Sequence, residues 1–152
     1  MRFMAWDALF KGPPFFARLI TAWGAFPVDP EGTDPGGFRT CLKLLKAGER
    51  VLIFPEGGRS YDGRLQPMRE GVARLAMRAE VPIAPVRLTG GQMAWPRGDF
   101  APRPFFPIHV RFCPAIHPRP ARAPDERHAE SARLMQALTA ALRSRDAVSF
   151  YD

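Results

Sequence analysis

The sequence predicts an α/β fold, with a mixed, partly parallel sheet flanked by helices in a single domain over residues 1–152. Three observations carry this. Apolar residues recur at helical spacing in four separate segments. Two short apolar runs, 51–54 and 81–88, lie between them without alternation, as strands covered on both faces do. Connections are short, and neither a repeat nor a linker divides the chain, so strand, helix and strand follow closely.

Phe3, Trp6, Leu9 and Phe10 open the chain, ahead of a break at Gly12-Pro13-Pro14. The two prolines suit the start of a helix, which Phe15, Phe16, Leu19, Ile20 and Trp23 continue at helical spacing. Its broad aromatic face fits either core packing or a membrane-facing surface. Gly24 ends it, and residues 25–28 read as a short strand. Loop follows over 30–37, where Asp34 suits a helix N-cap and Pro35 the first helical position. Phe38, Cys41, Leu42 and Leu45 then form one helical stripe that Gly48 stops.

The run Val51-Leu52-Ile53-Phe54 is the first of the two expected buried strands, and a loop occupies 55–67. Val72, Leu75, Ala76 and Ala79 mark the next helix, leading into the second apolar run at 81–88. Proline-rich loop fills 95–107. Ile108, Val110 and Phe112 alternate with His109, Arg111 and Cys113, a strand with one more polar face. After loop at 114–124, Leu134, Met135, Leu138, Ala141 and Leu142 trace an amphipathic terminal helix from Asp125. Arg143 and Arg145 sit near the negative end of its dipole. This last strand and helix occupy 108–145.

Composition narrows the class of protein. Of 152 residues, 46% are hydrophobic and 24% charged, a globular balance that excludes a wholly disordered chain. The 17 prolines are roughly twice the usual share of about 5%, so turns should interrupt helices often. Arginine supplies 19 of the 22 basic residues, which with the abundant Ala, Gly and Pro points to a GC-rich bacterial genome. The net charge of +7 attracts phosphate, on nucleic acid, lipid headgroups or a small molecule. The arginines are scattered and no nucleic-acid module is recognisable, so nucleic acid is not an expected partner. Cys41 and Cys113 sit in apolar patterns and read as buried thiols of a reducing cytosol, without metal. Neither a signal peptide nor a membrane span is expected. The uncharged run 19–28 is half the roughly 20 residues that a span needs.

The chemistry-bearing stretch is Phe54-Pro55-Glu56-Gly57-Gly58-Arg59-Ser60, directly after an apolar strand. Paired glycines there let backbone approach a ligand, and their N–H groups form an anion-binding concavity. Arg59 offers a planar fork suited to phosphate. Glu56, a carboxylate at the edge of an apolar strand, needs a partner. A tight turn in which Arg59 pairs with Glu56 accounts for the same residues. No phosphate-loop, dinucleotide-binding, zinc-hydrolase or nucleophile-elbow pattern is present.

Residues 54–60 resemble the F-P-E-G-[TG]-R-S block of the glycerolipid acyltransferases, the lysophosphatidic acid acyltransferase family. Gly24-Ala25-Phe26-Pro27-Val28-Asp29 is similar to the preceding block, G-x-[IF]-x-V-[DN]-R. Asp62-Gly63 and Gly71-Val72-Ala73-Arg74-Leu75-Ala76 resemble the stretch that follows. Val81-Pro82-Ile83-Ala84-Pro85-Val86 resembles the last block, V-P-[IV]-x-P-[VI]. The resemblance runs over residues 3–90, with the blocks in family order. It implies transfer of an acyl chain from acyl-CoA or acyl-carrier protein to a lysophospholipid hydroxyl, with no cofactor beyond that co-substrate. It implies that Glu56, Gly57, Gly58 and Arg59 hold the acceptor phosphate. Val81, Pro82, Ile83 and Pro85 would form a wall beside the acyl chain. A cytoplasmic protein, peripheral on the inner face of the cell membrane, is the implied setting.

The chain departs from that family at its base. The family's H-x-x-x-x-D element supplies a histidine general base and an orienting aspartate. His109, His117 and His128 are followed five positions later by Pro114, Arg122 and Arg133, and all lie after the last block. No catalytic residue is therefore assigned, and this chain alone is expected to be inactive. A non-catalytic module for lipid phosphate or acyl-carrier protein is the alternative. Pro30 stands where the family carries a phosphate-binding arginine, Trp6 where lysine is frequent, and Gly58 where threonine is commoner.

Overall fold

The computed structural model describes residues 1–29, 35–58, 60, 62–96, 98–99 and 101–144. Two compact units result, Met1–Gly57 and Gly58–Asp152.

The first unit is built on a three-stranded parallel sheet. Its middle strand, β1 (Arg2–Trp6), is one that helical or alternating patterning does not reveal. β1 pairs with β2 (Ala25–Val28) along its length, Phe3 opposite Ala25 and Trp6 opposite Val28. On its other edge Arg2 and Phe3 pair with β3 (Val51–Leu52). Parallel neighbours need a crossover. A 3₁₀ turn (Asp7–Phe10) and α1 (Pro14–Ala22) supply it between β1 and β2, and α2 (Gly36–Lys46) supplies it between β2 and β3.

The expected start and stop of α1 hold, whereas α2 begins at Gly36 with Pro35 as its N-cap, one residue later than expected. Pro14 opens α1, and Gly24 follows it at φ +94° with its α-carbon facing the Met1 carbonyl, where a Cβ would sit 2.9 Å away. The N-cap role expected of Asp34 falls outside the described residues. Gly37, in the first turn of α2, lets the helix settle on Val28, whose Cγ1 would lie 2.7 Å from any Cβ. Ile20, Ala25 and Cys41 form the buried interior. Burial pushes the Cys41 thiol up to about 11, so it is an inert packing group. The run 51–54 is a correction: only Val51 and Leu52 pair, and Phe54 is 52% exposed. In this register Ile53 and Phe54 would come opposite Met4 and Ala5, but those residues pair with β2 alone, so the ladder stops although β1 continues to Trp6.

The second unit packs α3 (Gly71–Ala79) against α5 (Pro124–Arg143). Ala73, Leu75 and Ala76 from one, with Leu134 and Leu138 from the other, make its buried centre. The expected stripe on the terminal helix thus faces inward as read. A two-stranded antiparallel ribbon joins β4 (Val86–Thr89) to β5 (His109–Phe112), with Val86 opposite Phe112 and Leu88 opposite Val110. The run 81–88 is a second correction, because the strand starts at Val86. Pro82 and Pro85 have no N–H to give a ladder, and only an isolated bridge from Ile83 to Ile116 precedes β4. A short helix, α4 (Gly91–Ala94), follows β4 unannounced by any apolar period.

Gly90, between β4 and α4, has φ +88°, and a Cβ there would land on the Pro107 carbonyl oxygen. Gly90→Ala is therefore expected to combine left-handed strain with a backbone clash, destabilising by about 2–4 kcal/mol. Gly48→Ala, at φ +78° with open space around it, should show the strain alone, about 1–2 kcal/mol. Thermal melts of the two variants, monitored by circular dichroism, separate the contributions. Equal losses would show that the Pro107 contact carries nothing.

Candidate functional site

The segment 54–60 leaves β3 and crosses from the first unit into the second after Gly57. In the first unit it folds into a tight turn, closed by the Gly57 N–H donating to the Phe54 carbonyl at 3.0 Å. Gly57 sits at φ +75°, a left-handed backbone that only glycine adopts at no cost. Glu56 is half-buried and engaged in a polar interaction. Gly58, on the other side of the boundary, is exposed, with nothing within 4 Å of where a Cβ would stand. Bare, accessible backbone is thus present at Gly58, whereas the Gly57 N–H is spent on closing the turn. Arg59 lies outside the described residues, and so does Pro30.

Immediately downstream, Asp62 organises the chain. Its Oδ1 accepts from the Ser60 hydroxyl at 3.0 Å, from the Arg64 N–H at 3.0 Å and from Gln66 Nε2 at 3.4 Å. The Arg64 N–H and the Ser60 hydroxyl hold the Asp62 carboxyl below its ordinary range. This Asx-type turn orders residues 60–66, a role the sequence reading did not assign to Asp62 when it matched Asp62-Gly63 to the family stretch. The signal was the Asp-Gly pair.

Val81, Pro82, Ile83 and Pro85 follow α3 in the second unit. Pro85 is buried, Val81 and Ile83 are half-buried, and Pro82 is exposed. The Val81 N–H closes onto Ala76 O at 3.1 Å, Ile83 exchanges backbone bonds with Ile116, and the Pro85 carbonyl accepts from Cys113 N at 2.9 Å. These bonds fix the segment beside β5. A cleft of about 460 Å³ in the same unit lies elsewhere, lined by Met68, Glu70, Met135, Gln136, Thr139 and Arg143 among others. None of the wall residues borders it.

The three histidines are exposed: His109 on β5 opposite Thr89, His117 in the loop after it, and His128 on α5. Cys113 is half-buried and its thiol donates to the Ala141 carbonyl at 3.4 Å. Among the described residues, no group of three His, Cys, Asp or Glu side chains converges to hold a metal ion.

A family model described as Acyltransferase matches residues 1–89, more than half of the sequence, and takes in β1, the glycine turn and the segment 81–85. The chain belongs to the acyltransferase family. A 1-acyl-sn-glycerol-3-phosphate acyltransferase of Limnanthes douglasii is 46% identical over 67 residues, which are 44% of this acyltransferase chain and 24% of that protein. The protein of the same name from Pseudomonas aeruginosa is 40% identical over 112 residues, covering 68% of this chain and 41% of the relative. The Bacillus subtilis counterpart is 33% identical over 90 residues, 59% of this chain and 44% of its own. The chain thus spans a quarter to under a half of the length of these relatives. The crystal structure of the acyltransferase PlsC from Thermotoga maritima superposes with a TM-score of 0.58 at 21% identity, over 91% of this chain and 55% of that one. The fold is shared. β5 and α5 lie beyond the family match, so the acyltransferase signature rests on the first unit and the start of the second.

Proposed function

We propose that this chain is part of a glycerolipid acyltransferase whose acceptor is a lysophospholipid and whose donor is acyl-CoA or acyl-carrier protein. Glu56, Gly57, Gly58 and Arg59 hold the acceptor phosphate, and Val81, Pro82, Ile83 and Pro85 wall the acyl chain. In the reaction the acceptor hydroxyl attacks the thioester carbonyl. The ester C–O bond forms, the C–S bond breaks, and the hydroxyl proton leaves with the thiol. The observation that carries the reading is the glycine turn, with Gly57 at positive φ and open space around Gly58, lying within the acyltransferase match. The working place proposed is the cytoplasmic inner face of a bacterial membrane. A net charge of +7 supports it, and no helix among the described residues is long and apolar enough to cross a membrane.

No histidine of these 152 residues begins H-x-x-x-x-D, so the proposal assigns the general base to none of them. A general base contributes about 10²–10⁴-fold. The 152-residue protein, given labelled acyl-CoA or acyl-carrier protein and lysophosphatidate, is therefore expected to bind the acceptor without forming product above background. Turnover would refute the assignment of no catalytic residue, and failure to bind lysophosphatidate would refute the cradle. The second reading is a non-catalytic module for lipid phosphate or acyl-carrier protein, supported by Pro30, which stands where the family carries a phosphate-binding arginine. The intact mass of the protein isolated from its own cells separates the two. A mass above that of these 152 residues, with H-x-x-x-x-D in the additional segment, selects the enzyme. A mass equal to theirs selects the module.

A further inference from the structure

On α1 and its C-cap the residues Phe15, Leu19 and Trp23 fall on one stripe at i, i+4 and i+8, with Phe16 and Ile20 along its edge. Such a stripe ordinarily packs inward. Here only Ile20 is buried, while Phe15 is 78% and Trp23 68% exposed, and Phe16 and the neighbouring Leu9 of the 3₁₀ turn are exposed as well. About 12 Å of helix axis separates the two outermost rings. Between Ala8 and Val28 the only charged residues are Lys11 and Arg18. Lys11 is paired with Asp7 at 2.6 Å, so Arg18, exposed on the flank of the stripe, carries the uncompensated positive charge of α1.

We infer that this face of α1 lies in the headgroup region of an anionic lipid bilayer. Three features select that occupant over another protein surface. The exposed side chains are Phe and Trp, whose rings suit the membrane–water boundary. The helix has an apolar side with a cationic flank and no acid, the pattern of an interfacial helix. The whole chain is basic, which complements anionic lipid. Ile20 and half-buried Leu19 tie α1 to its own sheet, so the face is presented by a fixed element.

The inference rests on the membrane setting proposed above, but on residues apart from the glycine turn. The test is co-sedimentation of the 152-residue protein with phosphatidylcholine vesicles, with and without phosphatidylglycerol. Binding is expected to rise severalfold with phosphatidylglycerol and to fall at least tenfold in F15S/W23S. Arg18→Glu should remove most of the phosphatidylglycerol enhancement. With brominated lipids, part of the tryptophan fluorescence of the unaltered protein is expected to be quenched, and Trp23→Phe should abolish that part. Quenching that persists in the Trp23→Phe variant, or vesicle binding unchanged in F15S/W23S, would overturn the assignment. So would a concentration-dependent dimer that F15S/W23S dissolves, because a second copy would then cover the face. Lysophosphatidate binding below its micelle concentration, measured on the same proteins, reads the glycine turn separately. If it survives while vesicle binding is absent, this surface fails and the acceptor cradle stands.

Discussion

Glu130→Ala is expected to lower the stability of the second unit by about 3 kcal/mol at neutral pH. Glu130 lies in α5 at 7% exposure, and each of its oxygens is used. Oε1 accepts from Arg133 Nη2 at 2.6 Å and from the Arg119 N–H at 2.8 Å, and Oε2 accepts from Arg133 Nε at 2.8 Å. The same Arg133 Nη2 reaches the His117 carbonyl at 2.8 Å. The group is a clasp that ties the loop after β5 to the second turn of α5. Truncating the carboxylate leaves Arg133 Nε and the Arg119 amide without their acceptor and Arg133 Nη2 with the His117 carbonyl alone, which is why the loss exceeds that of an exposed ion pair.

The pH dependence follows from the same contacts. The Arg133 hydrogen bonds, with the Arg119 N–H, hold the Glu130 carboxyl down at about 2 against an ordinary 4.5. A carboxyl that is more acidic in the folded protein binds its proton more readily when unfolded. Its contribution is complete above the ordinary value and is lost as pH falls from about 4.5 towards 2. Urea titrations at pH 7 and pH 3 should therefore show the unaltered protein losing ground to Glu130→Gln as the medium is acidified. A constant difference between the two proteins across that range would mean the clasp contributes no linked proton.

That clasp shows where a sequence stops being informative. Helices α1, α2, α3 and α5 announce themselves because their apolar residues recur within a few positions, whether the stripe packs inward, as Leu134 and Leu138 do, or stands largely exposed, as Phe15 and Trp23 do. Glu130 and Arg133 look like an ordinary solvated pair at i, i+3 until the loop at 117–119 folds back on them. The strands were read less well for a related reason. Whether Ile53 joins a ladder depends on whether the chain stays in register with Met4, a residue some fifty positions earlier. Pro82 and Pro85, by contrast, carried their warning locally, since an imino nitrogen has nothing to donate. The glycine turn was legible because its chemistry is local too: Gly57 supplies the positive φ, and Gly58 the bare approach.

Arg59→Ala is expected to weaken lysophosphatidate binding roughly thirty- to hundredfold, the loss of about 2–3 kcal/mol from hydrogen bonds to a charged group. Binding of the acyl thioester should change by no more than about twofold, on the proposal that its chain is received by the apolar segment 81–85. On that proposal the guanidinium offers two parallel N–H donors to two phosphate oxygens, and the exposed Gly58 amide adds a donor without positive charge of its own, while the Gly57 N–H stays with the Phe54 carbonyl. Lysine at 59 keeps the charge without the fork, so Arg59→Lys should fall between the two proteins. The competing account makes Arg59 the turn's own partner for Glu56. That account predicts a different pattern: a lowered melting temperature, unaltered acceptor affinity, and the same defect in Glu56→Gln. Isothermal titration with lysophosphatidate, alongside thermal melts of the three variants, decides between a residue that holds the turn and one that holds the lipid.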